Sequence, residues 1–158
     1  MRSDRLPDVK RPVADDHEGM LLTGSLHIDA ERAFRRAARG RRLAALTRQL
    51  QRLDVVDERC LRPHRHPPGR EVVEIPVTAI QATLEPSRAA QFDRRFRPAP
   101  IARPRWQRLW MAEQRGAALP PVEVVPIGDA YALRDGHHRV SVAIARGAMT
   151  VDARIGAA

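Results

Sequence analysis

The sequence predicts an α+β fold whose C-terminal half carries a small sheet with helices, preceded by a basic helical extension. Three observations predict it. Residues 72–77, 122–127, 130–133 and 151–155 are short runs of β-type apolar pattern, and helical patterns separate them. The stretch Arg134-Asp135-Gly136-His137-His138-Arg139-Val140 joins one of those strands to a helix. Upstream, arginines surround a leucine repeat between residues 30 and 53.

The junction at Gly136 is the most informative element. Before it, Ala130-Tyr131-Ala132-Leu133 alternates small and large apolar residues, as a half-buried strand does. After it, Val140, Ala143 and Ile144 share one helical face, and Gly147 is placed to stop the helix. A strand–Gly–helix junction presents backbone N–H groups without intrahelical partners and the positive end of a helix dipole. Such a terminus suits an anion, and two histidines and an arginine add donors matched to phosphate oxygens. The physical expectation is a phosphate pocket for a nucleotide. The competing expectation is a tight turn at Gly136 with solvated basic residues.

Within the pocket reading, each residue has a role. Gly136 lets backbone approach a phosphate, because it lacks a Cβ. Arg139 offers a planar fork to phosphate oxygens. His138 donates to or orients a phosphate, and His137 does the same or faces the helix. Asp135 has three candidate roles: positioning Mg²⁺, acting as a base, or capping the following helix.

The other elements follow in chain order. Residues 1–20 are polar, contain Pro7 and Pro12 and lack apolar periodicity, which predicts a disordered tail. Residues 21–60 form the basic extension. Asp29 is the expected N-cap of a helix over 30–53, with Leu43, Leu46, Leu50 and Leu53 as its buried stripe and Gly40 as a possible break. Arg32, Arg35, Arg36, Arg39, Arg41 and Arg42 cover the outside of that helix. They are candidates for contact with a DNA or RNA backbone; the competing expectation is a solvated face around a packing stripe. Residues 61–70 are a Pro-rich linker. Cys60, His64 and His66 match no standard zinc spacing and lack a fourth ligand, so no metal site is expected. Residues 71–156 form the folded domain. In it, 78–100 reads as a long connection holding Arg88, Arg94, Arg95 and Arg97, any of which could approach a nucleotide. Pro104 and Gly116 bracket a helix whose Trp106, Leu109 and Trp110 share a core face. Gly128-Asp129 makes the turn of a hairpin.

Composition sets outer limits. The chain has 158 residues, 43% of them hydrophobic, enough for one domain with an appendage. No apolar run reaches transmembrane length, and residues 1–10 do not resemble a secretion signal. A single cysteine argues for a reducing cytoplasm and no membrane association is expected. The net charge of +9 favours an acidic partner such as nucleic acid. Among the 28 basic residues only Lys10 is lysine, a bias typical of GC-rich coding, which explains the choice of Arg but not the excess of base over acid.

From about Glu71 to Ile155 the order of these pieces resembles the ParB/sulfiredoxin superfamily, and specifically small ParB-like proteins built on the ParB N-terminal domain. The resemblance rests on the strand at 72–77, Arg115-Gly116 before the strand at 122–124, the hairpin carrying Tyr131 and Leu133, the Gly136-to-Arg139 box, and the last strand at 151–155. It implies a small mixed sheet with helices. It also implies that Gly136, His137, His138 and Arg139 contact the phosphates of a nucleoside di- or triphosphate, CTP or ATP, with or without Mg²⁺. In sulfiredoxins the box is Gly-Cys-His-Arg with a catalytic Cys; His137 stands at that position here and Cys60 lies before the domain, which argues against sulfinic-acid reduction. ParB proteins continue into a helix-turn-helix domain after this fold, whereas this sequence stops at Ala158, which puts centromere binding in doubt. A free-serine-kinase branch uses a Glu and an Asp as catalytic carboxylates. Asp135 matches the second, and Glu74 and Glu85 are both candidates for the first. The expected function is nucleotide binding in a regulatory or DNA-associated role, with small-molecule phosphotransfer as the alternative.

Overall fold

A computed structural model of the chain describes residues 24–61 and 71–157. The expected tail at 1–20 and nearly all of the linker, including His64 and His66, lie outside the described residues. The elements are α1 (Leu26–Leu46), β1 (Asp54–Val55), β2 (Val72–Pro76), β3 (Ile80–Thr83), α2 (Pro86–Ala89), α3 (Arg103–Gln114), β4 (Val122–Ile127), β5 (Ala130–Asp135), α4 (His137–Ala145) and β6 (Thr150–Ile155). Short 3₁₀ turns at Glu58–Cys60, Val77–Ala79 and Pro100–Ala102 join some of them. The strands form a mixed six-stranded sheet in the order β1-β3-β5-β4-β6-β2. β3 is parallel to both β1 and β5, and β4 is parallel to β6. β4/β5 and β2/β6 are antiparallel. This is the α+β class that the sequence predicts. None of the helices among the described residues is long and apolar enough to cross a membrane.

Two apolar clusters hold the fold, and α4 is their shared wall. Val140 of α4 packs with Val122, Val124, Leu133 and Phe92 on the sheet side. Val142 packs with Phe34, Trp106 and Trp110 under α1 and α3. Trp106 is fully buried, so its indole N–H needs a partner. It donates to Ser141 Oγ at 3.0 Å, and its ring meets Phe34 edge-on at 5.5 Å. The expected aromatic face of α3 is thus core, with Leu109 partly buried beside it.

Several expectations for the first 60 residues need correction. The helix stops at Leu46. Its buried face is Ala30, Ala33, Phe34 and Ala38, while Leu43 and Leu46 are 54% and 81% exposed. Small residues let α1 approach α3 closely, so the leucine stripe is not the packing face. Leu53 is buried, but in the sheet-side cluster, next to β1. Ser25, not Asp29, is the N-cap, and Asp29 is buried in the first turn. Gly40 continues the helix. A Cβ there would lie 2.5 Å from Arg97 Nη1, so its lack of side chain admits that guanidinium.

The stretch 78–100 is also not one long connection, because it contains β3 and α2. Asp93 is buried there. Its Oδ1 accepts from the backbone N–H groups of Arg95 (3.0 Å) and Arg97 (2.9 Å), and its Oδ2 from Arg97 Nε at 2.6 Å.

Gly136 requires its glycine for two reasons. Its φ is +108°, and an added Cβ would stand 2.6 Å from Val122 Cγ1 and 2.8 Å from Val122 Cβ. Gly136→Ala should therefore cost roughly 2–4 kcal/mol from strain and overpacking together. Urea unfolding monitored by circular dichroism measures this; a midpoint equal to wild type would show that neither constraint acts.

Candidate functional site

The site is built where two adjacent parallel strands end. β3 and β5 pair with Thr83 opposite Leu133, and both chains then leave the sheet at the same end. β5 passes through Gly136 directly into α4, whose first intrahelical bond runs from Val140 N–H to Gly136 O at 2.9 Å. The N–H groups of His137, His138 and Arg139 precede that bond, and no side chain caps this helix end. They carry the positive end of the α4 dipole.

The two histidines are not solvated. His137 and His138 are 3% and 5% exposed. His137 Nε2 lies 2.7 Å from Thr83 Oγ1 at the end of β3, and that hydroxyl also accepts from Glu85 N–H at 2.9 Å. Phe92 stacks on His137 at 6.2 Å between centroids and meets His138 edge-on at 5.0 Å. Burial, then the Arg88 cation, hold His137 down at a pKa of about 4. Burial, then Arg105 and Arg88, do the same to His138, also about 4. Both imidazoles are neutral at pH 7. Each neutral ring keeps one N–H as a donor.

The positive charge comes from elsewhere. Arg88 of α2 and Arg105 in the first turn of α3 both act on His138, so three elements bring cationic groups or dipole ends together. Arg88 is one of the arginines singled out from sequence. Arg105 was not anticipated, and neither were Thr83 and Phe92. A signal for Arg105 existed: α3 opens with Arg103 and Arg105 and has no acidic residue in its first turn, against the preference of a helix N-terminus.

Arg139 is placed differently from expectation. Its Nη1 donates to the carbonyls of Pro120 (2.7 Å) and Pro121 (2.6 Å), and its Nη2 pairs with the Asp135 carboxylate. The fork thus ties the α3–β4 loop to the box. Asp135 does not cap α4; it ends β5, and its largely exposed side chain balances Arg139. Gly136 is pressed on Val122, so its missing Cβ serves the close approach of β4. Of the two candidate glutamates, Glu85 follows β3 and leaves the sheet at the same end as Asp135. Glu74 sits on the far edge strand, where it accepts from the Thr150 hydroxyl. Among the described residues no group of His, Cys, Asp and Glu is arranged to hold a metal ion. Cys60 is exposed, in the 3₁₀ turn after β1.

The Arg-rich face of α1 is a separate feature. Arg32, Arg36, Arg39 and Arg42 are exposed and form no ion pair among the described residues. Arg35 is engaged by Glu31 at 2.8 Å. Glu31 also accepts from Gln107 at 2.6 Å, and the Arg35 hydrogen bond, opposed by burial and helped by Gln107 and Arg103, holds its carboxyl below the usual range.

No protein-family model matches this chain, and no curated protein matches it. Among solved structures the chain is similar to a sulfiredoxin from Arabidopsis thaliana, with 19% identity over 54% of this chain and 83% of that chain and a TM-score of 0.35.

The histidines give a test by pH. Each has its ordinary pKa of 6.5 when unfolded and about 4 when folded. Between those values the unfolded chain takes up protons that the folded chain refuses, so stability is full above pH 6.5 and falls as pH falls toward 4. The slope is up to about 1.4 kcal/mol per pH unit for each histidine. The urea midpoint should drop between pH 7.5 and 5, and less so in His138→Gln. Equal midpoints at both pH values would contradict the burial of both rings as neutral groups.

Proposed function

We propose that this chain is a nucleotide-binding module of the ParB/sulfiredoxin kind, acting in a regulatory or DNA-associated role. It would hold the phosphates of a nucleoside di- or triphosphate at the N-terminus of α4. The observation that carries this reading is the uncapped start of that helix, where both histidines are buried and neutral, with Arg88 acting on both and Arg105 on His138. Two cations and a helix dipole act there, while the charge of Asp135 is already matched by Arg139. The surplus is positive and suits a polyphosphate. Its position beyond the carboxyl ends of two parallel strands is one where ligands recur in sheets of this kind. The donor set fits a phosphate better than a metal, so Mg²⁺ would arrive with the nucleotide rather than in a protein cage.

One observation keeps phosphotransfer as a second reading. Glu85 and Asp135 follow neighbouring strands and leave the sheet at one end, as a pair of catalytic carboxylates would. It predicts product formation from ATP or ADP with a small hydroxyl acceptor, abolished in Asp135→Asn.

Calorimetric titration with CTP, ATP, ADP and GTP, with and without Mg²⁺, tests the primary reading. Arg88→Ala and Arg105→Ala should each weaken binding about 10–100-fold, the loss of one charge-assisted hydrogen bond or more, and leave the fold intact. Arg139→Ala should instead lower stability, because it frees two carbonyls and Asp135. Unchanged affinity in both Arg88→Ala and Arg105→Ala would sink the assignment of the site.

A further inference from the structure

Beyond the α4 site, a second basic feature runs along α1 and into a groove at its C-terminal end. The groove measures about 650 Å³ and lies between the end of α1 and the turn at 93–97. Arg48, Arg94, Arg95 and Arg97 line it. Behind them, Arg41 is held among Asp93, Arg97 and Arg52, and its Nη1 is buried with no hydrogen-bond partner among the described residues. Six guanidinium groups thus face two carboxylates, Asp93 and Asp54. Asp93 is committed to Arg97 at 2.6 Å, and Asp54 reaches Arg94 only at 4.0 Å. The cluster is short of negative charge.

The groove is continuous with the outer face of α1. Residues three and four apart on a helix are neighbours, so Arg36 and Arg39 stand beside Gly40 and Leu43 at the groove wall. The helix has 21 residues and is therefore about 30 Å long, close to one turn of duplex nucleic acid. A line of arginines of that length matches a run of backbone phosphates. The aromatic residues decide between single and double strands. All three Phe and both Trp are buried and Tyr131 is half-buried, so among the described residues no Phe, Trp or Tyr ring is fully exposed to stack on an unpaired base.

We propose that the α1 face and the groove bind the phosphodiester backbone of a nucleic-acid duplex, without base readout. This surface supplies the partner for the DNA-associated half of the function proposed above and shares no arginine with the nucleotide site. Contact is through Arg36 and Arg39 on the helix and Arg48 and Arg95 in the groove. Arg97 serves the fold, since its guanidinium neutralises buried Asp93.

Fluorescence anisotropy with a labelled DNA duplex of about 20 base pairs, its single strand and a duplex RNA tests the proposal on the full chain. The wild type should prefer a duplex to the single strand. With roughly four phosphates contacted, one by each of these arginines, log K against log salt should have a slope of about −3 to −4. The double variants Arg36→Gln/Arg39→Gln and Arg48→Gln/Arg95→Gln should each lose at least about tenfold in affinity and about two units of slope, with unchanged circular dichroism and unchanged nucleotide affinity. Preference for DNA or RNA duplex would name the source, and either supports the backbone reading. Three results would overturn it: a flat salt response, tighter binding of the single strand, or both double variants binding like wild type. A wild type that binds nucleotide but no duplex would overturn this inference alone and leave the α4 site standing.

Discussion

The contact of Gly136 with Val122 is the constraint on which the rest of the structure depends. β5 must end, reverse its backbone into the left-handed region, and start α4 while lying against β4. Only a residue without Cβ meets both demands at once. This single junction sets where α4 begins. It thereby sets which face of α4 meets the sheet through Val140 and which meets Trp106 through Ser141 and Val142. It also carries His137 to within hydrogen-bonding distance of Thr83, joining the ends of β3 and β5.

Electrostatics at this junction follow from packing. Phe92 covers both imidazoles, and burial, more than the nearby cations, keeps them neutral. A charged imidazolium in that place would add to an already positive end of the helix. Neutral rings instead brace the turn, and Arg88 and Arg105 supply the cationic influence near it. Arg139 and Asp135 form a closed pair that locks the loop at Pro120 and Pro121 to the box. The box is thus scaffold: its side chains fix the backbone at the start of α4.

The parts of this arrangement that were legible in the sequence are those with local punctuation. Gly128-Asp129 marked the hairpin, Pro104 and Gly116 bracketed α3, and Gly136 and Gly147 bracketed α4. The resemblance to the ParB/sulfiredoxin superfamily pointed to the same box. What sequence pattern missed was tertiary in origin. α1 packs through alanines and Phe34, so the larger leucines at 43 and 46 drew attention to the wrong face. β3 is only four residues long and interrupted by Gln81, too short to declare itself by alternation. The partners of Arg139, two proline carbonyls 18 and 19 residues earlier, are invisible to local spacing. Arg105 acts on His138 from another helix, and its one local mark is a first turn of α3 without an acidic residue.

The most direct test of this account is imidazole NMR on ¹⁵N-histidine-labelled protein, titrated with pH alone and then with ADP. The account predicts that His137 and His138 stay neutral down to about pH 4 in the free protein. It further predicts that both titrate at higher pH once a polyphosphate is bound, because its negative charge favours the imidazolium. Two histidines titrating near their ordinary 6.5, unmoved by ADP, would contradict both the buried junction and the phosphate site built on it.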